Sequence, residues 1–170
     1  SYNADIYITG SNASLLSSDL ATLLSGRYVS FQVHPFSFSE FVELYSHLGK
    51  SAPDLFLDYV QIGGMPSLQY FDLQVPPSIQ ALKDIYNSVI LKDVVEYGQI
   101  RNTDLLQRII LFVVSNIGNT FSATSINKFF KSENRIVSVD TILSYLALCE
   151  NAFFIKRVPR QELPGKKLLA

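Results

Sequence analysis

Apolar and polar positions repeat in two rhythms along this chain. Ile6, Tyr7 and Ile8 form a short apolar run closed by Thr9-Gly10-Ser11-Asn12, and Tyr28-Val29-Ser30-Phe31-Gln32-Val33 alternates at period two up to Pro35. Both predict strands, and the first would deliver Thr9, Ser11 and Asn12 to its carboxyl end, where open α/β sheets place their ligand sites. Between them, Ser17 or Ser18 followed by Asp19 predicts a helix over residues 18–25 that Gly26 ends. From residue 37 the rhythm turns helical. Ser37 and Glu40 have capping-box spacing, and Phe38, Phe41, Val42, Tyr45 and Leu48 make one stripe. Pro53-Asp54 opens a helix carrying Leu55, Tyr59 and Ile62, which Gly63-Gly64 stops. After Pro76-Pro77, Ile79, Leu82, Ile85, Tyr86, Val89 and Ile90 predict the longest helix of the first half, which Lys92–Glu96 extends or kinks.

The second half reads as three helices and a hairpin. Thr103-Asp104 opens a helix with Leu105, Leu106, Ile109, Ile110, Phe112, Val113 and Ile117 inward, ended by Gly118. Ser122–Ser125 opens one with Ile126, Phe129 and Phe130, and Ser138-Val139-Asp140 opens one with Ile142, Leu143, Leu146 and Cys149. Phe153–Val158 predicts a strand, Leu163–Lys166 a tight turn, and Lys167-Leu168-Leu169 the return strand. Three helices followed by a basic two-stranded wing is the order of a winged helix-turn-helix.

Composition sets bounds on this pattern. With 48% hydrophobic and 12% aromatic residues in 170, the chain has ample core for one or two small domains. Its longest apolar run, Ile109–Val114, is far short of the roughly 18 residues a membrane span needs. Residues 1–30 show no basic start followed by an apolar core, so no signal peptide is expected. The lone Cys149 excludes an intramolecular disulfide and fits a reducing, cytoplasmic setting. Charge is unevenly spread. Residues 1–100 carry four Lys/Arg against ten Asp/Glu, a balance of −6, whereas residues 101–170 carry ten against five, a balance of +5. The basic half is the better candidate for an anionic partner.

Taken together, Tyr7-Ile8-Thr9-Gly10-Ser11-Asn12, Leu24-Ser25-Gly26-Arg27, Pro35-Phe36-Ser37-Phe38-Ser39-Glu40-Phe41, Gly63-Gly64-Met65-Pro66, Leu91-Lys92-Asp93-Val94, Ser115-Asn116-Ile117-Gly118 with Phe121-Ser122, and Gly165-Lys166-Lys167 resemble the carboxyl-terminal part of a prokaryotic AAA+ type ATPase. The resemblance covers nearly the whole chain. It implies three parts: the end of an ATPase core over 1–50, a helical lid or linker over 51–100, and a winged-helix domain over 101–170. The implied fold is mostly α with minor β, an α+β architecture with a truncated parallel-sheet edge, a helical lid and then the winged helix-turn-helix. By resemblance Asn12 is the sensor at the end of its strand, with Thr9 and Ser11 beside the nucleotide. Arg27 is the arginine offered to the γ-phosphate of an adjacent subunit, which implies a homo-oligomer through the core. ATP and Mg²⁺ are expected in the full-length protein, and neither is expected on this chain alone.

One departure bears on activity. Hydrolysis needs a loop of backbone N–H groups around the phosphates, a lysine, a hydroxyl on Mg²⁺ and a carboxylate for the metal. The chain lacks them as a set. Gly49-Lys50-Ser51 fails as such a loop, because the first glycine of the motif would fall at Leu44 and the triplet follows a helix. The chain is therefore expected to begin inside the core and to be inactive alone.

Other readings stand beside these. Ser11 and Asn12 also suit a local turn, and Arg27 also suits a surface pair with Asp19 or Asp5. His34 and His47 lack neighbours at ligand spacing, so no metal site is expected. Lys128, Lys131, Arg135, Lys156, Arg157, Lys166 and Lys167, with Arg160, are candidates for nucleic-acid phosphates. The third helix of the basic half, however, offers Ser138, Asp140, Thr141, Ser144 and Tyr145, and no Arg, Lys, Asn or Gln for bidentate base contacts. A DNA-binding regulator and a protein-contact module both remain open for that half.

Overall fold

The computed structural model describes residues 5–10 and 27–158. The chain divides into two compact units, one of Leu24–Ile90 and one of Ser1–Leu23 with Leu91–Ala170.

In the Leu24–Ile90 unit, residues 27–35 are exposed and without regular structure, and helices begin at Phe38. Helix α1 spans Phe38–Leu44, with Ser37 as its N-cap. The Glu40 carboxylate accepts from the Ser37 N–H at 2.7 Å, and the Ser37 hydroxyl accepts from the Glu40 N–H, the reciprocal box that the spacing predicts. Helix α2, Ala52–Ile62, starts on Ser51 and stops at Gly63. A 3₁₀ turn over Pro66–Phe71 leads to α3, Val75–Ser88. Pro76 and Pro77 lie inside its first turn, where a missing N–H breaks no intrahelical bond, and so extend the helix instead of preceding it. Phe41, Tyr45, Leu55, Ile62, Leu68 and Leu73 form the core. Edge-on rings reinforce it, Phe41 on Tyr59 at 5.1 Å and Phe38 on Phe56 at 5.3 Å between centroids. Each such pair adds about 0.5–1.5 kcal/mol beyond burial.

The chain leaves this unit within a π-helical stretch, Val89–Glu96. Its wider winding continues in bonds from the Tyr97 N–H to the Lys92 carbonyl and from the Ile100 N–H to the Val95 carbonyl. In the second unit, α4 spans Thr103–Ser115, α5 spans Ala123–Ser132 and α6 spans Val139–Asn151. Their N-caps are Asn102, Ser122 and Ser138, each accepting a backbone N–H of the first turn. Leu105, Ile109, Val113, Ile126, Phe130, Ile142 and Leu146 make one core. Gly98 is needed there for close approach, since a Cβ would stand 2.4 Å from Leu148 Cδ1 and 2.6 Å from the Val94 carbonyl oxygen. Ile117, expected inward, is 74% exposed because α4 ends two residues before it.

The expected α+β architecture is overturned: among the described residues every regular element is helical and no strand forms. Residues 5–10 and 27–35, where strands are expected, carry no regular structure, and no described residue supplies the backbone ladder a sheet edge needs. Ile6, Tyr7, Val29, Phe31 and Val33 are correspondingly exposed. The wing fails in the same way. Residues 153–158 follow α6 as a turn and irregular chain, with Phe153, Phe154 and Ile155 bonded back to the end of that helix. The winged helix-turn-helix is thus replaced, over the described residues, by three helices without strands. The predicted turn at 163–166, the return strand and the predicted helix over 18–25 lie outside the described residues.

Candidate functional site

Thr9 lies near the end of the irregular segment 5–10 and is exposed, and Arg27 begins the irregular segment 27–35, also exposed. They belong to different compact units. Ser11 and Asn12 lie outside the described residues. Arg27 makes no ion pair with a described residue. Gly49-Lys50-Ser51 is committed to structure. Gly49 takes a left-handed φ of 64° at the end of a 3₁₀ turn, Lys50 pairs with Asp58 at 2.7 Å, and Ser51 caps α2.

Two residues outside the predicted site hold Phe36, just ahead of α1. The Phe36 N–H donates to the Gly64 carbonyl at 2.7 Å, and the Tyr59 hydroxyl donates to the Phe36 carbonyl at 2.9 Å. Pro35–Phe41 and Gly63–Pro66, two of the motifs singled out in the sequence, therefore meet. Their separation along the chain gives no sign of this contact.

The basic candidates divide by their partners. Lys128 and Lys131 on α5, and Lys156 beyond α6, are exposed and form no ion pair with a described residue. Arg135 is engaged with Asp104 at 2.6 Å, and Arg157 with Glu150 at 2.8 Å. Arg108 bridges Asp104 at 3.2 Å and Glu133 at 3.4 Å, so a four-membered ionic cluster ties the start of α4 to the end of α5. The Arg135 and Arg108 hydrogen bonds hold the Asp104 carboxyl below its ordinary 3.8. Lys166 and Lys167 lie outside the described residues. A cavity of about 330 Å³ opens beside Asn102, Arg135 and Ser138, but both caps already satisfy their own helix N–H groups. Asn127, nearly buried, donates its side-chain amide to the Val137 carbonyl and pins α5 to the segment before α6. Its place beside Ile126 gives no sequence signal for that role.

Among the described residues no metal centre or reactive thiol emerges. Among the described residues no three His, Cys, Asp or Glu side chains gather to hold a metal ion. His47 contacts the Leu44 carbonyl and lies 3.8 Å from Asp72. Burial pushes the Cys149 thiol up to about 11, which makes it an inert core group. Among the described residues no helix is long and apolar enough to cross a membrane.

Comparison with known proteins places the two parts of the chain separately. Residues 53–167 match the family described as "Domain of unknown function (DUF8612)", and residues 1–42 match the one described as "AAA domain". An uncharacterized protein of Haemophilus influenzae is 38% identical over 171 residues, which cover 99% of this chain and 42% of that protein. An uncharacterized protein of Methanocaldococcus jannaschii is 28% identical over 160 residues, 89% of this chain and 36% of that protein. The chain thus spans less than half the length of the curated relatives it matches. No solved structure matches it.

Proposed function

Because the chain belongs to the DUF8612 family and carries an AAA-like segment ahead of that region, we propose that it is part of a longer ATP-hydrolysing protein. In this reading residues 1–42 are the far rim of a nucleotide site whose phosphate loop lies elsewhere in that protein. The AAA-domain match over residues 1–42 is the observation that carries it. The exposure of Arg27, which has no ion pair with a described residue, supports it, because a planar, always charged fork suits phosphate oxygens. Arg27 reaches the γ-phosphate of a neighbouring copy and stabilises charge on the transferred group. Thr9, Ser11 and Asn12 orient the reacting phosphate from their own copy. Mg²⁺, when bound, would neutralise phosphate charge, and no described residue is assigned to hold it. In the full-length protein Arg27→Ala should leave ATP affinity intact and lower turnover about 10³-fold, as removal of a trans-acting arginine does. Unchanged turnover would remove Arg27 from the reaction.

A second reading concerns the helical region. Lys128 and Lys131, one turn apart on α5 and free of ion pairs with described residues, support phosphate contacts of the sequence-independent kind. Titration with duplex DNA at low and moderate salt tests it. Replacing both lysines by Gln should reduce the salt slope by about 2. Binding that ignores salt, or no binding, assigns the region to protein contact.

A further inference from the structure

Helix α2 is apolar on two sides, and the core of its unit uses one of them. Leu55 and Ile62 enter that core, whereas Phe56, Leu57 and Val60 are 49%, 68% and 68% exposed. Leu57 and Val60 stand three positions apart and Phe56 and Val60 four, the spacings that bring side chains together on one helix face. A helix that is apolar all round is ordinarily a buried one. The two carboxylates of α2 are engaged, Asp54 with the Ser51 hydroxyl at 2.6 Å and Asp58 with Lys50 at 2.7 Å. The face therefore suits another apolar surface and not an ionic ligand.

Two observations bear on what covers it. The first is continuity: the Phe56 ring packs edge-on against Phe38 at 5.3 Å between centroids, and Phe38 lies inside the stretch that matches an AAA domain, residues 1–42. Phe38 also packs against Tyr59, whose hydroxyl donates to the Phe36 carbonyl, a second residue of the same stretch. The second is size. Residues 1–42 are too few to bury the core of an ATPase domain by themselves, and Val29, Phe31 and Val33 among them are exposed. The Haemophilus influenzae relative is correspondingly longer, since the matched part is 42% of it. Whatever completes the AAA-like domain has apolar groups of this unit to cover.

We propose that the α2 face of Phe56, Leu57 and Val60, continued by Phe38, is a docking surface for the remainder of the AAA-like domain in the same copy of the longer protein. This contact rests on the ATPase reading above and adds a structural role to it. Helix α2 spans Ala52–Ile62 and so opens the DUF8612 match over residues 53–167. The first helix of that family region is then the one that holds it against the AAA-like domain.

The test uses the full-length protein with single cysteines on the face, Leu57→Cys and Val60→Cys, and one on α3, Lys83→Cys. All three positions are exposed in this chain. Alkylation by iodoacetamide, read site by site by mass spectrometry, should run about tenfold or more slower at 57 and 60 than at 83, because a covered thiol reacts only on local opening. Gln61→Cys, next to the face and carrying a benzophenone, identifies the occupant and keeps the test decisive if the two face variants loosen the contact. Its crosslinks should reach AAA-like residues outside this chain, within one copy and in a yield that dilution leaves unchanged. Absence of those crosslinks overturns the docking surface whatever the alkylation rates. Crosslinks between two copies, or protection lost on dilution, assign the face to a second copy and overturn the proposed occupant, as do crosslinks confined to residues 1–170. A full-length protein without ATP turnover removes the ATPase reading, while alkylation and crosslinking still decide the contact.

Discussion

The two units solve the same packing problem with different chemistry. In Leu24–Ile90 the helices close around rings, with Phe41 and Tyr45 fully buried, Tyr59 packed against Phe41 and Phe38, and a close backbone approach at Gly64. In the unit of α4 to α6 the core is mainly aliphatic around Phe130, and the helices are latched outside by Asp104, Arg108, Glu133 and Arg135. The difference bears on function. The ring-packed unit leaves Arg27 unpaired among described residues, whereas the other unit uses Arg135 and Arg157 in ion pairs and leaves Lys128, Lys131 and Lys156 outward. A basic composition therefore overstates the cations available for a ligand.

Core truncation should give the largest effect. Phe130→Ala and Phe41→Ala each remove a fully buried ring and should cost about 3–5 kcal/mol in denaturant titrations. A much smaller cost at Phe41 would show that its neighbouring rings collapse into the space, and the contrast between the two cores would weaken. Loss of the Ser122 cap comes next. Ser122→Ala removes one half of a neutral capping box on α5 and should cost about 1 kcal/mol.

The smallest effects separate the units by pH and salt. Hydrogen bonds from the Ser37 side chain and backbone hold the Glu40 carboxyl below its ordinary 4.5, and bonds from Arg135 and Arg108 hold Asp104 below 3.8. A depressed folded-state value means stability that is present above the ordinary value and lost as pH falls through the folded one. Both contributions should therefore disappear on acidification below about 4.5 and 3.8. Comparing acid unfolding of Glu40→Gln and Asp104→Asn at low and high salt distinguishes them. Salt should erase the Asp104 contribution and largely spare that of Glu40, because the first rests on exposed ion pairs and the second on a local cap. Equal salt sensitivity would break the distinction.

Local signals in the sequence were reliable where the structure depends on local bonds. The Ser37–Glu40 box, the stop at Gly63, and the starts at Ser122 and Ser138 are all formed. Alternation misled where an element needs a distant partner. Tyr28–Val33 and Phe153–Val158 have strand-like composition, but a strand exists only when another backbone lies beside it, and no described residue does so. The Phe36–Gly64 contact was illegible for the complementary reason. Gly64 reads as half of a helix stop, and its service to a backbone 28 positions earlier is visible only once the chain has folded back. Of the candidate site, the exposure of Arg27 is a property of the folded chain and not of its motif. The ionic cluster was foreshadowed only by the spacing of Asp104 and Arg108 on one helix.

The claim that Arg27 acts across a subunit boundary is tested most directly by mixing two inactive forms of the full-length protein. One carries Arg27→Ala and the other a substitution of the phosphate-loop lysine expected elsewhere in that longer protein. Each alone should lack ATP turnover, and mixed copies should regain part of it, because an intact loop from one then meets Arg27 from the other. Mixtures as inactive as their components, or wild-type turnover by Arg27→Ala alone, would contradict the account.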